Sequence, residues 1–258
     1  MPVRPVVLVT GAARRLGRAI ALELATAGWD VAVHHRASSD EARQTCSALA
    51  ACGARAEAFA ADLADEDAVR ALPQHVAGTF GRLDAVVNNA SLFEYDDATG
   101  FSGECAARHW RVNTVAPVLL AQGLHALLRE RRGQGCVVNI LDQKLWNPNP
   151  DYLSYTLSKA ALLEATTLLA QALAPTLRVV GVAPGVTLPS GTMTAAEFAT
   201  AHTLTPLGRA STVEDVAQAV RYMLSAKAVT GTTLVVDGGQ HLTPQSRDVA
   251  FLARIQPE

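Results

Sequence analysis

The sequence predicts a single α/β domain in which a doubly wound parallel sheet of about seven strands is covered by helices on both faces. Short apolar runs rich in β-branched residues alternate along the chain with longer segments of helical period. A length of 258 residues with 49% hydrophobic content suits one large core rather than two. Strand Val6–Val9 precedes a helix over 18–27, and strand 30–33 precedes a helix over 40–51. Further strands are expected over 56–60, 85–87, 136–140, 179–182 and 233–236, each beside a helix-length segment. No repeat, low-complexity tract or linker divides the chain, so residues 1–258 are expected to form one domain. The least regular stretch, 188–206, carries Pro189, Gly191 and several threonines ahead of Leu207-Gly208-Arg209. A loop that long inside a compact domain is expected to be a lid.

A net charge of −2 leaves no footprint for nucleic acid or membrane. Cys46, Cys52, Cys105 and Cys136 form no Cys-x-x-Cys pair and lack clustered histidines, so a reduced, cytoplasmic chain without structural metal is expected. The N-terminus lacks the charged head and long apolar stretch of a signal peptide, and no segment reaches about 18 uninterrupted apolar residues. Asn89-Ala90-Ser91 matches a glycosylation sequon, which in such a chain is read as chance.

The run Val7-Leu8-Val9-Thr10-Gly11-Ala12-Ala13-Arg14-Arg15-Leu16-Gly17 reads as strand, glycine turn and helix start. Free N–H groups and the helix dipole at such a start favour an anion, with Gly11 making the turn, Gly17 permitting close packing, and Arg14 and Arg15 adding positive charge. This is the nucleotide-binding end of a Rossmann fold. The second strand runs on to Arg36 and Ser38, a cation and a hydroxyl where an NAD-binding chain carries an acid for the ribose 2′-hydroxyl. The expected cofactor is NADP(H); the alternative is that Arg36 is a solvated loop residue. Asp62, followed by Leu63, can accept from an adenine amino group or cap a helix, as can Asp65. Asn88-Asn89-Ala90-Ser91 follows the fourth strand at the carboxyl edge of the sheet, where open α/β folds bind ligands.

In Ser154-Tyr155-Thr156-Leu157-Ser158-Lys159, four residues separate a phenol from an ammonium, about one helical turn, so both project from one face. A nearby cation favours the phenolate and is expected to pull a tyrosine pKa near 10 towards neutrality, making Tyr155 usable as a proton donor. Together with the glycine loop this pair points to hydride transfer. His34 and His35 are read as packing or loop residues, and His109 and Trp110 as helix-face residues.

In this order Thr10-Gly11 to Gly17, Asp62, Asn88-Asn89-Ala90, Asn113, Tyr155, Lys159, Pro184-Gly185 and Val236-Asp237-Gly238-Gly239 resemble the short-chain dehydrogenase/reductase family over nearly the whole chain. The family's third loop glycine is here Arg15, and its catalytic serine, thirteen residues before the tyrosine, is Asp142. Both departures, with Asn89-Ala90-Ser91-Leu92-Phe93, are similar to the pteridine reductases and dihydromonapterin reductases.

The resemblance implies a cofactor site that takes in Leu16, Leu63, Asn89, Ala90, Ser91, Pro184, Gly185 and Thr187 as well as Tyr155 and Lys159. It also implies that Arg15 reaches phosphate and pterin, that Ser91 and Phe93 hold the pterin, and that Asp142 works beside Tyr155. Lys159 would hold the nicotinamide ribose, and Asn113 would hold a water near Lys159 in a proton relay. Chemistry agrees in part: a serine donates to a developing oxyanion, whereas an ionised carboxylate repels it and suits a substrate with N–H donors or a nitrogen to protonate. Phe93 is read alternatively as core packing and Asp142 as a loop cap.

The expected function is NADPH-dependent reduction of a pterin-like substrate by Asp142, Tyr155, Lys159 and Asn113. The alternatives are a carbonyl reductase acting on a 3-oxoacyl thioester, sugar or steroid ketone, and a non-catalytic NADP(H)-sensing protein. The family commonly forms tetramers through two long helices, here near 113–128 and 158–173, and a homotetramer is the corresponding expectation.

Overall fold

The computed structural model describes residues 4–189 and 193–252. Seven parallel strands form one sheet: β1 (Val6–Val9), β2 (Asp30–His35), β3 (Ala56–Ala60), β4 (Ala85–Asn88), β5 (Gly135–Ile140), β6 (Leu177–Pro184) and β7 (Thr233–Val236). Their spatial order is β3-β2-β1-β4-β5-β6-β7. The chain runs outward from β1 to β3, then returns beside β1 at β4, with Val7 in register with both Val31 and Ala85. The crevice at that reversal lies outside the carboxyl ends of β1 and β4, where such sheets bind ligands.

Strand β1 is fully buried because both faces are covered, and its side chains alternate between two cores. Val7 and Val9 join the core under α1 (Arg15–Thr26), α2 (Ser39–Ala51) and α8 (Val213–Ser225), which contribute Ile20, Leu49 and Val220. Val6 and Leu8 face the core under α3 (Glu66–Phe80), α5 (Ala116–Glu130) and α6 (Leu153–Ala172), with Val69, Leu124 and Ala170. Between these lie α4 (Gly103–Trp110) and α7 (Ala195–Thr203), and α9 (Val249–Leu252) follows β7.

The expected strands are all present, but β2 and β4 run on to His35 and Asn88, and β6 is longer than expected at both ends. Helix α1 starts a turn early, at Arg15, which takes a left-handed φ of 54°. The stretch expected to be irregular holds a helix: Thr194 and Glu197 cap α7 reciprocally, side chain to backbone in both directions. Gly191 of that stretch lies outside the described residues. Asp65, not Asp62, caps α3, its Oδ1 accepting from Asp67 N at 3.0 Å and Ala68 N at 3.3 Å, while Asp62 Oδ1 accepts from Ala64 N at 2.9 Å.

His34 does more than pack. Its Nδ1 accepts the Gly11 N–H at 3.1 Å and its Nε2 lies 3.1 Å from Ala61 O, so one neutral ring ties the glycine turn to the loop after β3. Burial holds its pKa down at about 4, against an ordinary 6.5. Between those values the unfolded chain binds the proton and the folded chain resists it, so stability falls as pH falls from 6.5 to 4, by about 3 kcal/mol when complete. Urea midpoints at pH 7, 5.5 and 4.5 are expected to show this slope. In His34→Asn, which keeps an acceptor for Gly11, the His34 share of that slope should vanish at a cost of about 1 kcal/mol near neutrality.

Candidate active site

The glycine turn is packed tightly against the start of α1 and the end of β4. Gly11 holds φ +64°, and a Cβ on Gly17 would sit 2.2 Å from Gly11 O and 2.6 Å from Asn89 Nδ2. Thr10 locks the turn to the end of β4: its Oγ1 accepts the N–H groups of Asn89 and Ala90, each at 2.9 Å. Helix α1 opens on Arg14 without a side-chain cap and carries no acid in its first turn. A helix start left uncapped, free of acids and flanked by arginines suits a phosphate. Arg36 is exposed and Ser38 half-buried where α2 begins, at the rim of the same sheet edge. Arg15 lines one cleft with Asp142 and Tyr155 and donates through Nη2 to Pro189 O at 2.6 Å, joining the glycine turn to the start of the expected lid.

Leu16, Asn89, Ser91, Phe93 and Pro184-Gly185 line a cleft of about 270 Å³, together with Asp142, Tyr155, Lys159 and Thr187. At its floor the Tyr155 hydroxyl donates to Asp142 Oδ2 at 2.8 Å, and Asp142 Oδ1 accepts Lys144 N at 2.8 Å. Burial raises the Asp142 carboxyl above its ordinary range, and burial followed by the charge of Asp142 raises the Tyr155 phenol well above 10. This reverses the expected downward shift. Lys159 donates to Ile140 O at 2.7 Å, with its ammonium 5.8 Å from the Tyr155 ring centre, while the carboxylate is in direct contact with the phenol. Burial pushes the Lys159 ammonium down to about 8. The phenol thus keeps its proton and donates it in a hydrogen bond to the Asp142 carboxylate.

Tyr155 stands in the first turn of α6, whose N-cap, Tyr152, makes no side-chain cap and takes φ 55°. Asp96 replaces the missing cap: buried at 7% exposure, it accepts the Ser154 N–H at 2.9 Å and the Ser154 hydroxyl. A π-helical turn, Arg111–Val115, joins α4 to α5 and carries Asn113. π-turns inside helices commonly mark functional positions. The Asn113 amide is committed to the loop after β4, accepting Leu92 N at 2.7 Å and donating to Leu92 O at 2.9 Å, and it donates to Ser158 Oγ at 2.9 Å. His109, expected on a helix face, is fully buried and accepts Glu94 N at 3.3 Å, while Trp110 is half exposed. These bonds place Phe93, whose ring stacks on Tyr152 at 4.2 Å, meets Tyr155 edge-on at 4.6 Å, and stays 38% exposed.

The C-terminal segment closes the cleft. Lys144, 3% exposed, donates to Asp151 O at 2.6 Å and pairs with Asp248 Oδ2 at 3.3 Å. Asp151 takes Arg247 in a two-pronged bond at 2.8 Å from each nitrogen and accepts Asp248 N at 2.7 Å. Asp96, Lys144, Asp151, Arg247 and Asp248 were not legible in the sequence, because each acts through partners far along the chain. Among the described residues no His, Cys, Asp or Glu cluster could hold a metal ion, and no helix is long and apolar enough to cross a membrane.

A family model described as enoyl-(acyl carrier protein) reductase matches residues 11–241. FolM alternative dihydrofolate reductase 1 from Brucella canis, solved complexed with NADP, is 40% identical with a TM-score of 0.87, covering 95% of this chain and 98% of that one. A short chain dehydrogenase from Burkholderia cenocepacia, solved in complex with NADP, is 32% identical with a TM-score of 0.84, covering 92% and 97%. The 3-oxoacyl-[acyl-carrier-protein] reductase FabG of Staphylococcus aureus is 31% identical over 253 residues, 91% of this chain and 97% of its own length.

Proposed function

The chain belongs to the short-chain dehydrogenase/reductase family, and from that premise we propose that it is an NADPH-dependent reductase of a pterin-like substrate. The observation that carries the substrate class is the Tyr155–Asp142 hydrogen bond at 2.8 Å on the floor of a cleft walled by Phe93. An ionised carboxylate in that place, accepting the Tyr155 hydroxyl, repels an oxyanion but tolerates a ring nitrogen that takes a proton. The half-exposed ring of Phe93 offers a flat apolar face to a heterocycle. Resemblance to FolM alternative dihydrofolate reductase 1 supports the same reading.

NADP(H) fits the residues present. The uncapped start of α1, packed closely on the turn because Gly17 has no side chain, suits a pyrophosphate, and Arg36 and Ser38 suit a 2′-phosphate. Two NADP-bound neighbours support the assignment. When bound, the cofactor supplies hydride. Tyr155 would donate its hydroxyl proton to the substrate nitrogen, oriented by the bond it makes to Asp142, and water entering the open cleft would return a proton to the phenolate. Lys159 limits the charge left on the phenol from its seat on Ile140 O and offers its remaining donors to the cofactor ribose. Asn113 holds the Leu92 backbone and Ser158 in place, and with its amide committed to them it acts here as a positioning residue.

Arg36→Asp is expected to lower kcat/KM with NADPH by about 100-fold and to bring NADH level with it or ahead, since a charge-assisted phosphate contact becomes a repulsion. Steady-state rates with each nucleotide check this. Equal use of both by the unaltered enzyme overturns the NADP(H) assignment.

A second reading, reduction of a 3-oxoacyl thioester, is favoured by the similarity to FabG. NADPH oxidation with 7,8-dihydrobiopterin or dihydromonapterin, beside a ketone panel that includes a 3-oxoacyl thioester, separates the two. Turnover of ketones and of no pterin would decide for the second reading, and tight NADPH binding without any turnover would decide for a sensor.

A further inference from the structure

A second carboxylate enters the cleft, and catalysis does not use it. Asp248 lines the same cavity as Asp142, Tyr155 and Phe93, with its side chain 18% exposed. Its Oδ1 accepts Ala250 N at 3.1 Å, and its Oδ2 stands 3.3 Å from the Lys144 ammonium, a long contact that leaves acceptor capacity on both oxygens. Its backbone is pinned from the other side, where Asp248 N donates to Asp151 Oδ2 at 2.7 Å.

The surroundings are costly to assemble. Lys144 and Asp151 are 3% and 2% exposed, and charges buried so deeply are favourable only when well paired. Here Lys144 meets Asp151 O and Asp248, and Asp151 meets both Arg247 and Asp248 N. The outcome of all these bonds is one fixed position: the Asp248 carboxylate at the cleft wall. Beside it Gln143, 7% exposed and lining the same cleft, keeps a buried side-chain oxygen without a hydrogen-bond partner. The wall therefore presents more acceptors than the protein satisfies, and a ligand that completes it must bring N–H donors. Asp248, Asp142 and Tyr155 line one cleft, so a substrate lying on the pair has Asp248 on the wall beside it.

We infer that Asp248 is a specificity-determining residue that accepts N–H bonds from the amino-pyrimidine edge of the substrate, with Lys144, Asp151 and Arg247 as positioning residues. This rests on the pterin reading above. A thioester ketone carries no such donors at its reacting end and leaves Asp248 idle.

The test is steady-state kinetics of the full-length enzyme with NADPH and 7,8-dihydrobiopterin. Asp248→Asn is expected to raise KM for the pterin about 10-fold and Asp248→Ala up to about 100-fold, with kcat kept within about threefold and KM for NADPH within about twofold. Arg247→Leu should raise the pterin KM by a smaller factor and lower Tm, as a positioning role requires. Pterin KM unchanged in Asp248→Ala overturns the inference while leaving the pterin reading intact. So does a parallel loss of kcat, nucleotide affinity and Tm in both Asp248 variants, which would mark Asp248 as structural only. A wild-type enzyme that reduces no pterin overturns the reading and this inference together.

Discussion

Tyr155→Phe is expected to reduce kcat for the pterin-like substrate by about 10²- to 10⁴-fold while leaving KM for NADPH within about twofold. The substitution removes one oxygen and keeps the ring, so the edge-on contact with Phe93 at 4.6 Å survives and the cleft keeps its shape. What is lost is the proton that the substrate nitrogen must receive. Asp142 also loses the donor at 2.8 Å, keeping the Lys144 N–H. Without that donor its carboxyl titrates higher still, since a hydrogen bond to the ionised form is what held it down against burial. Nucleotide affinity measured by fluorescence titration and turnover measured by NADPH absorbance check the two halves separately. A variant with near-normal kcat would take Tyr155 out of the mechanism.

Asp142→Ser is expected to lower kcat/KM for pterin reduction by about 10²- to 10³-fold, to spare NADPH binding, and to raise trace activity on simple ketones. The serine restores a neutral donor where an oxyanion forms and removes the carboxylate that orients the Tyr155 hydroxyl. A spectroscopic consequence follows. Asp142 raises the Tyr155 phenol through both its charge and its hydrogen bond, so in Asp142→Ser the phenol should titrate lower than in the parent. Difference absorbance of tyrosinate on raising the pH reads this shift directly. Efficient ketone reduction by the unaltered enzyme, with no pterin turnover, would make Asp142 a structural substitution.

The parts of the fold written in local patterns were legible before the structure. Continuous β-branched runs marked strands buried on both faces, and Gly11 and Gly17 marked the turn, because each of these depends on residues within a few positions of one another. The Tyr155–Asp142 contact was legible through the family resemblance, which sets Asp142 thirteen positions before the tyrosine in the place of the usual serine. Its electrostatic sign was not. The sequence shows Lys159 four positions from Tyr155 and is silent on which charge the fold brings nearer, and the carboxylate is the group in contact. His34 and His109 were underread for a related reason. Each is a buried ring whose work is to bind a backbone N–H, of Gly11 and of Glu94, and a ring in that role leaves no pattern in its own neighbourhood.

Asp151 and Arg247 meet across 96 residues, and Lys144 and Asp248 across 104. The Tyr155–Asp142 pair spans only 13. Joining distant segments carries a larger closure entropy, so the two sides of the cleft belong to different stages of folding. The floor is expected to form with β5 and α6, and the wall that presents Asp248 to dock afterwards. The last contacts made are the first available to come apart without disturbing the sheet. In native-state hydrogen exchange the amides of Asp248 and Ala250, bonded to side-chain carboxylates, should therefore open at a lower free energy than those of β5, and the enzyme should lose its cleft wall while its nucleotide end is still folded.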